Sequence, residues 1–505
     1  NRVRRVLGED WVKKFSPYGQ VYQRNIIRAK SVQYSNKEAS NRTDIIYDLA
    51  GIAVLDYLQL YKKFSPVSQE SYALNNIAKV ELGRGKHDYS DVGSLDDLYN
   101  LDFDRYVDYN VEDAILVEEI EQKKKYLQII FSIAYKAKIN YIDAMTTSRP
   151  WDAIIHNHLL NKNIAIPQPK EPPLRVDFIG GYVKEPQIGL HHWVVSFDFD
   201  ALYPTILSQH NISPETFEHQ VHTWGVDWCL SHMNGPTHGK GTCTANGCQF
   251  RVDKRGFIPE IVDEYIQERV NVKNKMLQLK KDDPKSPEIE ALDHYQQALK
   301  ILNNGLYGSL GQKHFRWFDL RLAEAVTSTA QVCTRYVEQQ LNIYLNKVLK
   351  TKDIDYVIAA DTDSVYISFG KLVEALGAQG KSPSNITELL DKICKAKIQP
   401  VIERCCLELS KSFGVVDSTL KMKREAICEK AIWRAAKQYI LNIWDLEGVR
   451  YKEPILKYKG IEVVRSSTPM VCRDNLKKCL SIIMNKTESD LQKFIKQFYN
   501  EYKKM

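Results

Sequence analysis

The run Tyr356-Val357-Ile358-Ala359-Ala360-Asp361-Thr362-Asp363-Ser364-Val365-Tyr366-Ile367-Ser368 decides how this chain is read. Two apolar stretches flank a polar tetrad, which predicts strand, tight turn, strand. Asp361 and Asp363 are spaced i, i+2, so on an extended backbone their carboxylates point to the same side. Side by side they repel unless a cation sits between them. Mg²⁺ answers this need, since it takes oxygen ligands and is bound by one or two carboxylates plus substrate phosphates. A solvated turn would also carry an Asp-x-Asp pair, so other segments have to decide.

One lies upstream. Trp193-Val194-Val195-Ser196-Phe197-Asp198 reads as a buried strand that ends in a carboxylate, and Phe199 to Leu207 turns into a helix. A lone Asp closing an apolar strand needs a partner. A metal shared with Asp361 and Asp363 supplies one. The other segment is Lys300-Ile301-Leu302-Asn303-Asn304-Gly305-Leu306-Tyr307-Gly308, continuing to Gly311. On a helix Lys300, Asn304, Tyr307, Gly308 and Gly311 share one face. A cation, an amide, a ring and glycines that allow close approach suit a nucleoside triphosphate stacked on a base pair.

The three segments, in this order, resemble motifs A, B and C of family B DNA polymerases. Asp198 with Leu202-Tyr203-Pro204 resembles "DxxSLYPS", Lys300 to Gly308 resembles "KxxxNSxYG", and Asp361 to Ser364 matches "DTDS". The likeness leans toward the replicative polymerases of T-even-type bacteriophages and runs through essentially the whole chain. There are departures. Ala201 and Thr205 stand where motif A has Ser, Gly305 where motif B has Ser, and Ala360 where Gly often precedes motif C. None removes a carboxylate or the lysine.

The resemblance implies template-directed DNA synthesis on primer-template DNA from deoxynucleoside triphosphates, in viral replication in the cytoplasm of an infected host cell. It implies two Mg²⁺ ions, with Mn²⁺ an acceptable substitute, held by Asp198, Asp361, Asp363 and the Phe199 carbonyl. Metals so placed activate the primer 3′-hydroxyl and stabilise the leaving pyrophosphate. Arg269, Lys273 and Lys300 would neutralise the triphosphate, with the N–H groups of Ala201 and Leu202 helping at a helix start. Tyr203 would lie under the sugar and exclude a 2′-hydroxyl. Asn304, Tyr307 and Gly308 would pack against the nascent pair. Ala435-Ala436-Lys437-Gln438-Tyr439 resembles the "KKxY" segment at the primer end, with Lys437 and Tyr439 as DNA contacts and only one of the two lysines kept.

The implied fold is α/β (α+β), a right-hand polymerase preceded by part of a ribonuclease-H-like exonuclease domain. Residues 1–125 would be the partial exonuclease domain and 126–175 a connecting segment. Palm would occupy 176–255 and 311–464, short helical fingers 256–310, and the start of a thumb 465–505. Within the first part, Ile52-Ala53-Val54-Leu55-Asp56 reads as a strand leading into a helix at Tyr57. Tyr109 to Asp113 reads as a helix start and resembles the third exonuclease motif, "YxxxD". Prolines 167, 169, 172 and 173 mark a boundary. Phe178-Ile179-Gly180-Gly181 resembles the "YxGG" link. Both ends, at Asn1 and Met505, read as cut. The upstream exonuclease carboxylates would then be missing, leaving Tyr109 and Asp113 as a remnant. The missing polymerase parts and a sliding clamp are implied partners.

Bulk properties agree. At 505 residues and 44% apolar content the chain can build several cores. No stretch has the ~18–20 apolar residues of a membrane span. The net charge is +7, and residues 457–505 hold eleven Lys/Arg against five Asp/Glu, which reads either as a solvated helical surface or as a polyanion-binding face. Ten scattered cysteines predict free thiols. Cys229, His232, His238, Cys243 and Cys248 invite a zinc reading, but their spacings fit no common zinc pattern, and a surface loop with free thiols is expected. Two rivals stay open. A palm-type RNA-dependent polymerase usually carries adjacent aspartates and lacks the Lys300–Gly308 helix. A catalytically silent DNA-binding fragment of a split or truncated polymerase would keep the motifs without turnover.

Overall fold

The protein is described here from a computed structural model, covering residues 2–28, 42–65, 69, 71–168, 178–233, 241–464 and 468–503. Pro169, Pro172, Pro173, His238, Ser466 and Ser467 lie outside these residues. The described part is a mixed α/β structure.

The strands are β1 (Val21–Arg28), β2 (Arg42–Leu49), β3 (Gly189–Phe199), β4 (Phe217–Gln220), β5 (Thr242–Cys243), β6 (Cys248–Phe250), β7 (Val357–Asp361), β8 (Ser364–Ser368), β9 (Met422–Ala435), β10 (Gln438–Leu446) and β11 (Val449–Lys459). Six of them form the central antiparallel sheet, in the order β11-β10-β9-β3-β8-β7. Period-two alternation sorts β3 between its two faces. Val195, Phe197 and Phe199 enter the main helical core, and Val194 joins a second cluster with Tyr366, Trp433 and Tyr439. The Leu320–Leu349 helix covers the first face and buries residues on every turn.

Two long helices, Phe257–Asp282 and Glu288–Leu310, pack against each other. The turn between them is Asp283 to Pro287, inside the polar tip that the sequence marks as a breaker. At the far end of the chain, helices Met470–Asn485 and Glu488–Tyr502 are separated by Thr487, whose side chain makes a reciprocal capping box with Asp490. The Lys430 ammonium donates to the Met484 carbonyl at 2.6 Å and ties the first of these helices to the sheet.

Three local readings need correction. Ile52–Asp56 is not a strand; Asp56 is the N-cap of the Tyr57–Phe64 helix and accepts the Leu58 N–H at 3.0 Å. The apolar residues there were too few to outbid a cap. The helix carrying Tyr109 begins earlier, at Phe103, capped by Asp102. Cys229, Cys243 and Cys248 are not on an exposed loop. They are buried around the small sheet β4-β6-β5, and burial pushes each thiol up to about 12. All ten cysteines are free, as expected. His232 stacks on Trp228 at 4.4 Å, and no group of three metal-capable side chains forms among the described residues. No helix among them is long and apolar enough to cross a membrane.

Candidate active site

β7 and β8 form a hairpin with Asp361 paired to Ser364, so Thr362 and Asp363 are its two turn residues. Thr362 has φ +60°. With the Asp363 N–H donating to the Asp361 carbonyl at 2.7 Å, a positive φ at Thr362 is the pattern of a γ-turn. A β-branched residue is strained there. The turn is held by its surroundings. The Thr362 N–H donates to the Tyr182 carbonyl at 2.7 Å, and the Thr362 carbonyl accepts the Thr334 hydroxyl at 2.7 Å.

β3 runs between β8 and β9, with Asp198 opposite Ser364 on one side and Lys423 on the other. The Phe199 N–H donates to the Asp363 carbonyl at 2.9 Å, which locks the strand end to the turn. Asp198 and Asp363 therefore sit in one partly buried patch. Burial first, then the Asp363, Glu425 and Asp200 charges, push the Asp198 carboxyl up to about 7. Burial also raises Asp363, with Asp361 and Glu425 adding to it. Neither has a cationic partner within ion-pair distance among the described residues. Asp361 behaves differently. Burial would raise it, but Lys459 at 3.0 Å and Lys437 at 3.3 Å outweigh that and hold it below the usual carboxylate range.

This donor set fits a divalent cation. Two partly buried carboxylates are raised in proton affinity and have no ion-pair partner among the described residues. Mg²⁺ needs no third protein carboxylate when substrate phosphates complete its shell. Asp361 is paired with the two lysines, while its charge still reaches Asp363.

Two residues here escaped the sequence reading. Glu425 of β9 accepts the Ser196 hydroxyl at 2.9 Å, pairs with Lys457 at 3.2 Å, and adds a fourth carboxylate to the patch. Lys459 of β11 supplies a second ammonium to Asp361 where the "KKxY" segment has lost one at Ala436. Both are brought in by sheet pairing from more than 60 residues beyond the tetrad, so no local spacing announces them.

The floor beside the carboxylates is aromatic. Ala201 (φ +46°) precedes the Leu202–Gln209 helix, on which Tyr203 is half-buried. The Tyr203 and Tyr307 rings lie 4.6 Å apart, and Phe178 meets Tyr307 edge-on at 6.5 Å. Gly181 lies between Tyr203 and Thr362. A Cβ there would come within 2.9 Å of both the Tyr203 hydroxyl and Thr362 Oγ1, so a larger residue would force one of them to shift. The segment is clamped to the Leu320–Leu349 helix, Thr327 donating to the Ile179 carbonyl and Gln331 to the Gly180 carbonyl.

Arg269, Lys273, Lys300 and Asn304 come together from the two long helices around a cavity of about 740 Å³. Lys273 also lines a second cavity of about 570 Å³ that contains Asp198, so cations and carboxylates share one region. Arg269 Nε is buried without a hydrogen-bond partner among the described residues, as expected of a group awaiting an anion. Gly308 and Asn304 are exposed on the same helix. Gly305, the departure from motif B, has a local cause: a Cβ there would stand 2.6 Å from Thr147 Cγ2.

Two of the expected DNA contacts part company. Lys437 is exposed in the β9–β10 turn with φ +60°. Tyr439 is buried, its hydroxyl 3.0 Å from that of Tyr366, so it faces no open surface. Tyr109 and Asp113 lie together on the Phe103–Lys124 helix, away from these groups in sequence. Lys86 donates to Asp113 at 2.6 Å and to the Tyr109 hydroxyl at 3.2 Å.

Comparison with known proteins gives the lineage. The profile of DNA polymerase family B matches residues 121–399. The chain is 32% identical to the DNA-directed DNA polymerase of Enterobacteria phage T4 over 100% of its own length and 61% of that protein. It is 32% identical to that of Escherichia phage RB69 over 97% of its length and 59% of the relative. DNA polymerase 1 of Pyrococcus abyssi is 29% identical over 62% of the chain and 33% of its own length. The chain thus spans about three fifths of the phage relatives. With the tetrad turn, the strand-end aspartate and the cationic helix pair assembled in one region, and identity running along the whole sequence, the chain belongs to DNA polymerase family B.

Proposed function

We propose that this chain is a template-directed DNA polymerase of viral replication, adding deoxynucleotides to a primer 3′ end. The observation that carries it is the patch of two uncompensated carboxylates, Asp198 and Asp363, beside the acid-free cationic cavity of Arg269, Lys273 and Lys300. Acid beside base in this way suits phosphoryl transfer, where catalysis is positioning and electrostatics. The right-hand division follows: palm at 176–255 and 311–464, fingers at 256–310, a thumb start at 465–505, and a partial exonuclease domain at 1–125 joined by 126–175.

Two Mg²⁺ ions, when bound, would supply Lewis acidity to the 3′-hydroxyl and to the leaving group. Asp198 and Asp363 would hold them with the Phe199 carbonyl, and Asp361 would assist once freed from its lysines. The protein's own groups do the rest. Arg269, Lys273 and Lys300 bind and orient the triphosphate. Tyr203, backed by Tyr307, walls off the sugar 2′ position. Asn304, Tyr307 and Gly308 meet the nascent pair, and Lys437 meets the primer end. Tyr439 would act there by supporting Lys437 from beneath, because its ring is buried. Primer-template DNA and deoxynucleoside triphosphates are the substrates; a sliding clamp and the remaining polymerase parts are proposed partners, in the cytoplasm of an infected cell.

A primer-extension assay with Mg²⁺ and the four deoxynucleotides tests the reading. Templated extension is expected. Tight primer-template binding without extension would leave a silent DNA-binding fragment in its place.

A further inference from the structure

The cavity lined by the two long helices includes in its wall a residue from far upstream. Lys63, near the end of the Tyr57–Phe64 helix, lines it together with Arg269, Lys273 and Lys300. No Asp or Glu is among the lining residues. Four cations around about 740 Å³, with no acid in the lining, repel one another and favour the entry of an anion. The Lys63 ammonium donates to the Met145 carbonyl at 2.8 Å and approaches the Ala144 carbonyl at 3.5 Å. An ammonium has three donors, so these bonds aim it and leave its charge uncompensated. The stem stays in contact with solvent, while burial around the amine lowers its proton affinity. Buried Arg269 Nε, without a partner among the described residues, is a second unmet donor in the same cavity.

We propose that this cavity is a phosphate-binding site in which Lys63 is the fourth cation. Its ligand is a phosphate group, either of the incoming nucleotide or of the single-stranded template backbone. The identity of that phosphate rests on the polymerase reading; the site itself does not.

The test uses the full chain. Calorimetry would follow inorganic tripolyphosphate and a non-hydrolysable deoxynucleotide analogue. Fluorescence anisotropy would follow primer-templates with short and long 5′ overhangs. Lys63→Gln keeps a donor for Met145 and removes the charge; Lys63→Arg keeps the charge. Several-fold weaker binding of tripolyphosphate and nucleotide to Lys63→Gln, restored by Lys63→Arg, supports the site and assigns it to the nucleotide. Loss confined to the long overhang, with a salt slope lower by about 1, supports it and assigns it to the template. Unchanged binding of every probe to a Lys63→Gln protein with wild-type Tm overturns it. So does a loss in Lys63→Gln that Lys63→Arg fails to restore, since that marks a role only in holding Met145. A wild-type chain that binds tripolyphosphate yet extends no primer would instead sink the polymerase reading and leave the site standing.

Discussion

Asp198 and Asp363 differ from Asp361 in one respect that matters for chemistry: who neutralises them. Asp361 is ion-paired with two lysines, whereas the other two have no ion-pair partner among the described residues and feel Lys457 and Lys459 only at longer range. Removing either unpaired carboxylate should therefore abolish primer extension and leave the fold intact. Asp198→Ala or Asp363→Ala should cost roughly several kcal/mol of transition-state stabilisation. Extension within about tenfold of wild type in either variant would show that the assignment is wrong. The raised proton affinity of Asp198 gives a second, non-catalytic consequence. Its folded value of about 7 exceeds that of an ordinary carboxylate, so the folded state holds the proton more tightly than the unfolded chain. Metal-free stability is then full at acid pH and falls as pH rises toward about 7. A cation must displace that proton, so the rise in Tm on adding Mg²⁺ should be small at pH 6 and larger at pH 8. Asp198→Asn should flatten this difference; a Mg²⁺ effect equal at both pH values in the wild type would contradict it.

At the scale of elements, the tetrad hairpin was legible because two apolar runs around a polar pair leave a chain few options. The helix pair was legible from its breaker-rich tip. Contacts across the sheet were not. Lys459 and Glu425 meet the tetrad only because β11, β10, β9 and β3 pair in that order, and nothing in a strand's own residues names its neighbour. The burial of Tyr439 was hidden for the same reason: it is set by Tyr366 and Trp433 from other strands. Tyr203 sits between these cases, with its place on a helix start readable and its stacking on Tyr307 not. Tyr203→Ala should raise ribonucleotide incorporation relative to deoxynucleotide incorporation, and an unchanged sugar preference would reduce Tyr203 to a packing residue. Gly305 offers a test of packing between elements. Alanine in mid-helix normally gains about 1 kcal/mol over glycine. Here its Cβ would press on Thr147, so Gly305→Ala should gain less than that or lose stability. Adding Thr147→Ala should restore the gain, and a double-mutant cycle with no coupling would show that Thr147 simply moves aside.

Across the whole molecule, acidic groups that could hold metals are unevenly provided. The region around Asp198 brings Asp363, Asp361 and Glu425 together, while around Asp113 the polar neighbours are Lys86 and the Tyr109 hydroxyl. Asp113 Oδ2 is taken by the Lys86 ammonium at 2.6 Å, and Oδ1 is buried without a hydrogen-bond partner among the described residues. The closest ion pairs of this helix are Lys86 to Asp113 and Arg84 to both Glu112 and Glu119. Hydrolysis of a phosphodiester at a two-metal site needs carboxylates clustered tightly enough to hold both ions and an attacking water. One carboxylate already neutralised by a lysine does not provide that. We therefore expect this chain by itself to show no 3′→5′ exonuclease activity. The measurement is a 3′-labelled single-stranded oligonucleotide incubated with purified chain and Mg²⁺ or Mn²⁺. Persistence of the label is the expected result. Stepwise loss from the 3′ end that Asp113→Ala abolishes, and that survives Asp363→Ala, would show that Asp113 belongs to a working site after all.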